Sequence, residues 1–391
     1  MKKLEKIVLY HSAIVNPGGA ERLLLEEYNF LRKIGIRTWL LTFNVKKDAL
    51  FNYKVSDLEV LSGGDNFLFK VVSLRRRLRE INPDLVISAC GSLELYLATA
   101  FTSIPYVLHI HGSLFWFDGD LLKYALIHKG VFNEVRESVM GHKEFIPLKP
   151  KCGLVNRIKL EFAAILDYLA VKKAKKIFVL SPHMKWEVAK IYGKDAIVLR
   201  GAIRSCLLNY NPRQGIKKKL KLTGKKIILS VSRLDPRKRV DVLMKAFAKL
   251  ITEFNDIVLV IVGTGPNKAK LTALAKKLGL NGRIIFTGYV NDDELWDYYA
   301  AWEVFATRAW ADFDIAPYEA LALQKKVVWS SEMAEDPRMH EYVIVTDPSV
   351  DDFAEGIKKA LMTKVNTKLD LRRYTWENYF KTIFKICKEV V

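Results

Sequence analysis

Lys226-Ile227-Ile228-Leu229-Ser230-Val231-Ser232-Arg233-Leu234-Asp235-Pro236-Arg237-Lys238-Arg239 reads as a buried strand that breaks into a cationic turn and re-forms as a helix from Val240. A short apolar run bounded by turn residues and followed by a helical period is the building unit of a parallel sheet. Arg233 and Lys238 stand at the strand's carboxyl end. There a guanidinium fork and an ammonium point charge together suit a diphosphate. Arg237 and Arg239 read as solvated surface charge. Toward the C-terminus the unit recurs in strand Ile257 to Val262, helix Asn267 to Leu278, strand Arg283 to Thr287, helix Asp292 to Ala300 and strand Val304 to Ala306.

Toward the N-terminus the same alternation runs through strand Ile7 to Tyr10, helix Gly19 to Ile34, strand Thr38 to Thr42, helix Leu68 to Ile81, strand Leu85 to Ser88, helix Leu93 to Phe101 and strand Tyr106 to Ile110. Strand Lys176 to Leu180, helix Pro182 to Tyr192 and strand Ala196 to Leu199 close that half, and Gly201 to Gly215 has the residues of a connection. The expectation is an α/β protein of two doubly wound parallel-sheet domains, 1–200 and 201–373, with a basic amphipathic helix over 374–391 strapping back. Ligands of such sheets bind outside the carboxyl ends of the strands, so two facing domains put the site in the cleft between them.

The 391 residues are half apolar and carry a net charge of +20 shared by both halves, which excludes a disordered chain and a neutral core with a basic tail. Such a surface suits an anionic partner: nucleic acid, a phosphorylated small molecule or an anionic membrane face. Cys90, Cys152, Cys206 and Cys387 form no Cys-x-x-Cys pair, so no zinc ribbon or disulfide framework is written here and a reducing compartment fits. Met1 to Lys6 leads straight into a strand, which leaves no room for a signal peptide. Leu85 to Ile110 carries one charge, Glu94, over a length able to span a bilayer, yet it divides into strand, helix and strand. Two glutamines, Gln214 and Gln324, among many lysines give a bias seen in thermophile proteins.

Pro17-Gly18-Gly19-Ala20-Glu21 opens the first long helix, where glycines fit either a tight turn or the approach of backbone amides to an anion. Gly263-Thr264-Gly265-Pro266 reads as a turn bordering the cleft, since the third glycine of the dinucleotide fingerprint is missing. The segment from Phe305 to Ala322 is a loop feeding a helix with Pro317 in its first turn. Glu319, among Tyr318, Leu321 and Leu323, is placed to accept hydrogen bonds from ribose hydroxyls.

Gly18-Gly19-Ala20-Glu21, Arg233 with Lys238, Gly263-x-Gly265-Pro266, Gly288-Tyr289-Val290 and Phe313-x-Ile315 with Glu319-Ala320, in this order and spacing, resemble glycosyltransferase family 4 over nearly the whole chain. The resemblance implies a GT-B fold, a nucleotide-sugar donor, retention of anomeric configuration and no metal or other cofactor. It assigns Arg233 and Lys238 to the donor diphosphate, Glu319 to the ribose and the Gly18-Gly19 turn to the distal phosphate. It counts Gly263 among the substrate-binding residues, sets backbone near Tyr289 and Val290 against the base, gives Asp312, Phe313, Asp314 and Ile315 the transferred sugar, and puts His111 near that sugar. His109 reads more readily as structural. One departure is clear: the first of the family's two glutamates, eight positions before Glu319, is replaced by Ala311. Asp312 and Asp314 also stand where small residues are usual.

The Ile315-x-Pro317-x-Glu319-Ala320 ending resembles mannosyltransferases that extend lipid-linked oligosaccharides, which implies GDP-mannose as donor. Leu114-Phe115-Trp116-Phe117 and the helix bearing Arg75, Arg76, Arg77 and Arg79 suit a lipid interface, so the expected partners are a lipid-linked acceptor and an anionic membrane surface met peripherally from the cytoplasm. Core packing with a solvated face is the plainer account of both segments. A soluble transferase using a UDP-sugar and a small phosphorylated acceptor is the alternative enzyme. A nucleic-acid binder lacks any recognition helix or RNA-binding signature, so no nucleic acid is expected as a partner.

Overall fold

The computed structural model describes residues 4–15, 18–89, 93–112, 153–213, 215–309, 314–331, 339, 341–364 and 369–391. The chain divides into two compact units, Met1–Gly201 together with Trp376–Val391, and Ala202–Thr375.

The first unit holds a seven-stranded parallel sheet in the order β3-β2-β1-β4-β5-β6-β7. Its strands are β1 (Lys6–Tyr10), β2 (Arg37–Thr42), β3 (Leu58–Val60), β4 (Leu85–Ala89), β5 (Tyr106–Ile110), β6 (Ile177–Val179) and β7 (Ile197–Val198). The central strands β1, β4 and β5 are buried on both faces, which is why they read as uninterrupted apolar runs. The connecting helices are α1 (Gly19–Lys33), α2 (Phe67–Ile81), α3 (Leu93–Ala98), α4 (Leu154–Lys173) and α5 (Pro182–Tyr192). Their starts are written locally. The Asn66 side-chain Oδ1 accepts from the Phe69 amide at 3.2 Å, and the Ser181 hydroxyl accepts from the Met184 amide at 3.1 Å ahead of Pro182.

The second unit repeats the architecture with six parallel strands in the order β10-β9-β8-β11-β12-β13. They are β8 (Lys226–Val231), β9 (Ile257–Val262), β10 (Ile284–Gly288), β11 (Val304–Thr307), β12 (Lys326–Ser330) and β13 (Val343–Thr346). Around them lie α6 (Val240–Leu250), α7 (Lys268–Lys277), α8 (Asp292–Ala301), α9 (Ile315–Ala322) and α10 (Val350–Met362). In each sheet the strand order reverses once, at β1/β4 and at β8/β11, and those switch points are where ligands of such folds bind.

The last helix, α11 (Trp376–Lys388), packs against α1 in the first unit. Phe380 packs against Phe30 with ring centroids 5.7 Å apart and the planes tilted by 34°. Tyr374 lies outside α11, in a short 3-10 turn whose carbonyl accepts from the Ile203 amide at 2.8 Å.

Two expected elements differ. The helix expected over Leu93 to Phe101 ends at Ala98, because the Thr99 hydroxyl bonds back to the Leu95 carbonyl and Phe101 adopts φ +61° with its ring fully exposed. Arg239 is not a solvated charge: its side chain is mostly covered, and its left-handed backbone, φ +45°, turns the chain into α6. Among the described residues no helix is long and apolar enough to cross a membrane.

Candidate active site

At the β8/β11 switch point the loop after β8 is pinned by Leu234, which is fully buried. It is also laced to its neighbour, the loop after β9: the Ser232 amide donates to the Val262 carbonyl at 3.0 Å, and the Leu234 amide to the Thr264 carbonyl at 2.8 Å. This lacing explains the Gly-x-Gly pair. A Cβ on Gly263 would stand 2.0 Å from the Ser232 carbonyl oxygen, and one on Gly265 would stand 2.4 Å from that of Leu234. Gly263 also holds φ +135°, so these glycines are demanded by the close approach of two loops.

The lacing fixes the backbone from which Arg233 and Lys238 project. Arg233, 45% exposed, donates from Nε to Asp235 Oδ2 at 3.0 Å. Lys238 donates from Nζ to Asp314 Oδ2 at 2.9 Å, and only 17% and 11% of those two side chains are exposed. The cationic turn after β8 and the loop entering α9 are thus joined by an ion pair across 76 residues of sequence. Asp314 is the N-cap position of α9, with an extended backbone and no side-chain cap bond.

Glu319 lies inside α9, almost fully buried, and the Tyr299 hydroxyl donates to its Oε2 at 2.9 Å. The apolar residues around it in sequence are matched by aromatic neighbours in space. Tyr299 stacks on Trp296 and Phe305. Tyr289 and Val290 follow β10, with Tyr289 over half exposed.

In the first unit the carboxyl ends of β1 and β5 carry histidines. His109 is buried between Glu27 of α1, 3.4 Å from Nδ1, and Tyr379 of α11, 2.6 Å from Nε2, so it acts as a structural node. His111 stands edge-on to it, with ring centroids 4.4 Å apart. Both His111 ring nitrogens are shut off from water and have no hydrogen-bond partner among the described residues. Burial, and then the neighbouring His109 and His11, hold the His111 imidazole well below its ordinary range. His11 is also held low, chiefly by burial, and its Nδ1 accepts from the Ala13 amide at 3.2 Å. His11 is an addition from the structure; a lone histidine after β1 carries no signal of its own in the sequence.

Gly18 is the N-cap of α1 without a side-chain bond, and Gly19 opens the helix. A Cβ on Gly19 would meet nothing within 4 Å, so packing does not require glycine there.

The four arginines of α2 do not form one face. Arg77 is bound to Glu59 and Glu80, and Arg75 donates to the Ala100 carbonyl, whereas Arg76, paired with Glu80, and Arg79 are exposed. Exposed Leu68, Phe69 and Val72 share the face of Arg76 and Arg79. A larger apolar stripe lies on α4: Leu154, Val155, Ile158, Phe162, Ile165 and Leu169, from 73% to 40% exposed. Their spacing puts them in an arc about 100° wide. Ala311, Asp312, Phe313, Phe115, Trp116 and Phe117 lie outside the described residues. Among the described residues no group of His, Cys, Asp and Glu is arranged to hold a metal ion.

Two family profiles match this chain, "Glycosyltransferase Family 4" over residues 17–200 and "Glycosyl transferases group 1" over residues 212–378. The chain is a family 4 glycosyltransferase. The transferase is 24% identical over 310 residues to an uncharacterized glycosyltransferase of Methanocaldococcus jannaschii, covering 73% of this chain and 76% of that one. Over 94 residues, 24% of each chain, it is 36% identical to a Mycobacterium tuberculosis GDP-mannose-dependent alpha-(1-6)-phosphatidylinositol monomannoside mannosyltransferase. Anabaena HepE, solved in complex with UDP and glucose, superposes with a TM-score of 0.72 over 98% of this chain and 99% of its own, at 17% identity. That likeness carries the GT-B fold, two doubly wound α/β domains, as the alternation of strands and helices leads one to expect.

Proposed function

We propose that the transferase moves a hexose, mannose from GDP-mannose first, to a lipid-linked acceptor at the cytoplasmic face of a membrane, with retention and without a metal. The carrying observation is the bare apolar stripe of α4. Crossover helices run opposite to the strands they join, so the Leu154 end of α4 and the Leu68 end of α2 lie at the carboxyl edge of the first sheet, the edge of His11 and His111. Lys159, Arg76 and Arg79 flank these apolar side chains, the composition of a surface that lies in an anionic interface. A relative named for GDP-mannose and phosphatidylinositol supports the same reading.

Arg233 and Lys238 neutralise the diphosphate as it leaves, taking the part a divalent ion plays elsewhere. Glu319 accepts from the ribose hydroxyls, Tyr289 and Val290 border the base, and the loop from Asp312 to Ile315 receives the hexose. Burial keeps His111 neutral, so it adds no positive charge at the carboxyl edge of the first sheet. The second reading, a UDP-sugar donor with a soluble acceptor, is favoured by the UDP in HepE.

Co-sedimentation with anionic vesicles, followed by radiolabel transfer from GDP-mannose or UDP-glucose into lipid extract in excess EDTA, tests the proposal. Ile158→Asp with Phe162→Asp should release the protein from vesicles and leave binding of GDP unchanged. Unaltered sedimentation rejects the α4 contact. Label that enters only a water-soluble acceptor selects the second reading, and activity lost to EDTA and restored by manganese rejects metal independence.

A further inference from the structure

The two cations assigned to the donor diphosphate are already occupied by carboxylates. Arg233 pairs with Asp235 and Lys238 with Asp314, so the four side chains sum to no net charge. An entering diphosphate would meet little attraction while both pairs hold. The Arg233 pair is local and nearly half exposed on the arginine side, where solvent screening makes an exchange of partners cheap. The Lys238 pair is different. It joins loops from two strands, both side chains are largely covered, and the Asp314 carboxylate also sits at the positive end of α9. A carboxylate held by an ammonium at a helix start occupies the electrostatic position of a phosphate.

Resting on the donor-site reading above, we propose that Asp314 is an internal anion that holds Lys238 in place of the donor diphosphate, so that donor binding and nucleotide release are an exchange of one ammonium between carboxylate and phosphate. Competition from Asp314 lowers the affinity for the leaving nucleoside diphosphate and speeds its departure after transfer. The small side chain usual at this position in the resemblance cannot do this, which makes Asp314 a tuning residue of this chain.

Calorimetric titration of GDP, UDP and guanosine into the full chain tests the exchange. Asp314→Asn keeps the size of the side chain and removes its charge. Coupling between close charges of 1.5 kcal/mol or more corresponds to about tenfold or more in affinity, so Asp314→Asn should tighten both diphosphates by at least about tenfold and leave guanosine unchanged. It should also enlarge the rise in melting temperature that GDP produces, because the free variant keeps a covered, unpaired Lys238. Lys238→Met should weaken the diphosphates and abolish the gain when combined with Asp314→Asn. Asp314→Gly supplies the same readings should the Asn variant fold poorly. Diphosphate affinity unchanged or weakened by Asp314→Asn, with Lys238→Met still weakening it, overturns the exchange and leaves the donor site standing. A Lys238→Met protein that binds diphosphates like the parent removes the donor-site assignment, and the exchange falls with it. An equal gain for guanosine also overturns the proposal.

Discussion

Tyr299→Phe isolates the hydroxyl that supports the proposed ribose acceptor. The tyrosine ring is fully buried and stacks at 6.1 Å on Trp296 and 5.7 Å on Phe305, contacts that phenylalanine keeps. The substitution therefore opens no cavity, and its cost is polar. The bond removed runs 2.9 Å to the carboxylate of Glu319, which is 4% exposed. Hydrogen bonds to charged groups contribute about 1.5–3 kcal/mol, and with little water able to replace the hydroxyl the upper part of that range, about 2–3 kcal/mol, is expected. Urea denaturation at neutral pH should show a lower midpoint for the second unit with an unchanged m-value. A carboxylate freed from the hydroxyl should also discriminate less between GDP and its 2′,3′-dideoxy analogue. A stability loss below about 0.5 kcal/mol would refute the hydrogen bond as a structural support. A full stability loss with discrimination intact would leave Glu319 as a packing residue and move the ribose contact elsewhere.

His111 and His11 are both held below the ordinary imidazole value of 6.5, so the unfolded chain binds protons that the folded one refuses; stability should be complete above pH 6.5 and fall as pH drops below it. Denaturation between pH 7 and 5 should show that decline in the parent and a shallower one in His111→Gln, and a flat parental profile contradicts the burial of both rings. Gly263→Ala forces a Cβ 2.0 Å from the Ser232 carbonyl at φ +135° and should cost more than about 3 kcal/mol, whereas Gly19→Ala, with open space around it, should change stability by under about 1 kcal/mol; similar losses at the two sites reject this distinction. Ala311→Glu should raise the transfer rate about tenfold or more with little change in GDP affinity, since the family carboxylate acts on charge that develops in the transition state. An unchanged or lower rate would mean that Asp312 or Asp314 has taken over that contact.

Strands buried on both faces were the legible part of the fold, because Leu85–Ala89 and Ile257–Val262 have no polar alternation to obscure them. The edge strand Leu58–Val60 is short and partly exposed, and Val343–Thr346 is half covered, so neither has a pattern that separates it from a loop. The donor motif could be read wherever its parts are local, as in the run from Arg233 to Lys238. The bond from Lys238 to Asp314 joins residues 76 positions apart and has no trace in periodicity. The α4 stripe was hidden for another reason. Ala164, Ala170 and Val171 are apolar and buried while Ile158, Phe162 and Ile165 are apolar and bare, so the helix is hydrophobic around much of its circumference and only the sheet decides which side faces inward.

The excursion of the chain from Ala202 to Thr375 before its return to α11 sets an order of events during synthesis. The second unit is one continuous segment and can close as soon as it leaves the ribosome. The first unit, begun earlier, cannot finish: Trp376, Tyr379, Phe380 and Ile383, all buried, are made last. At ordinary elongation rates the intervening residues take roughly 10–35 s to appear. Through that interval the Phe30 face of α1 and the Glu27–His109 pair lack the cover that α11 supplies, so the part of the first unit that closes last is its oldest sequence.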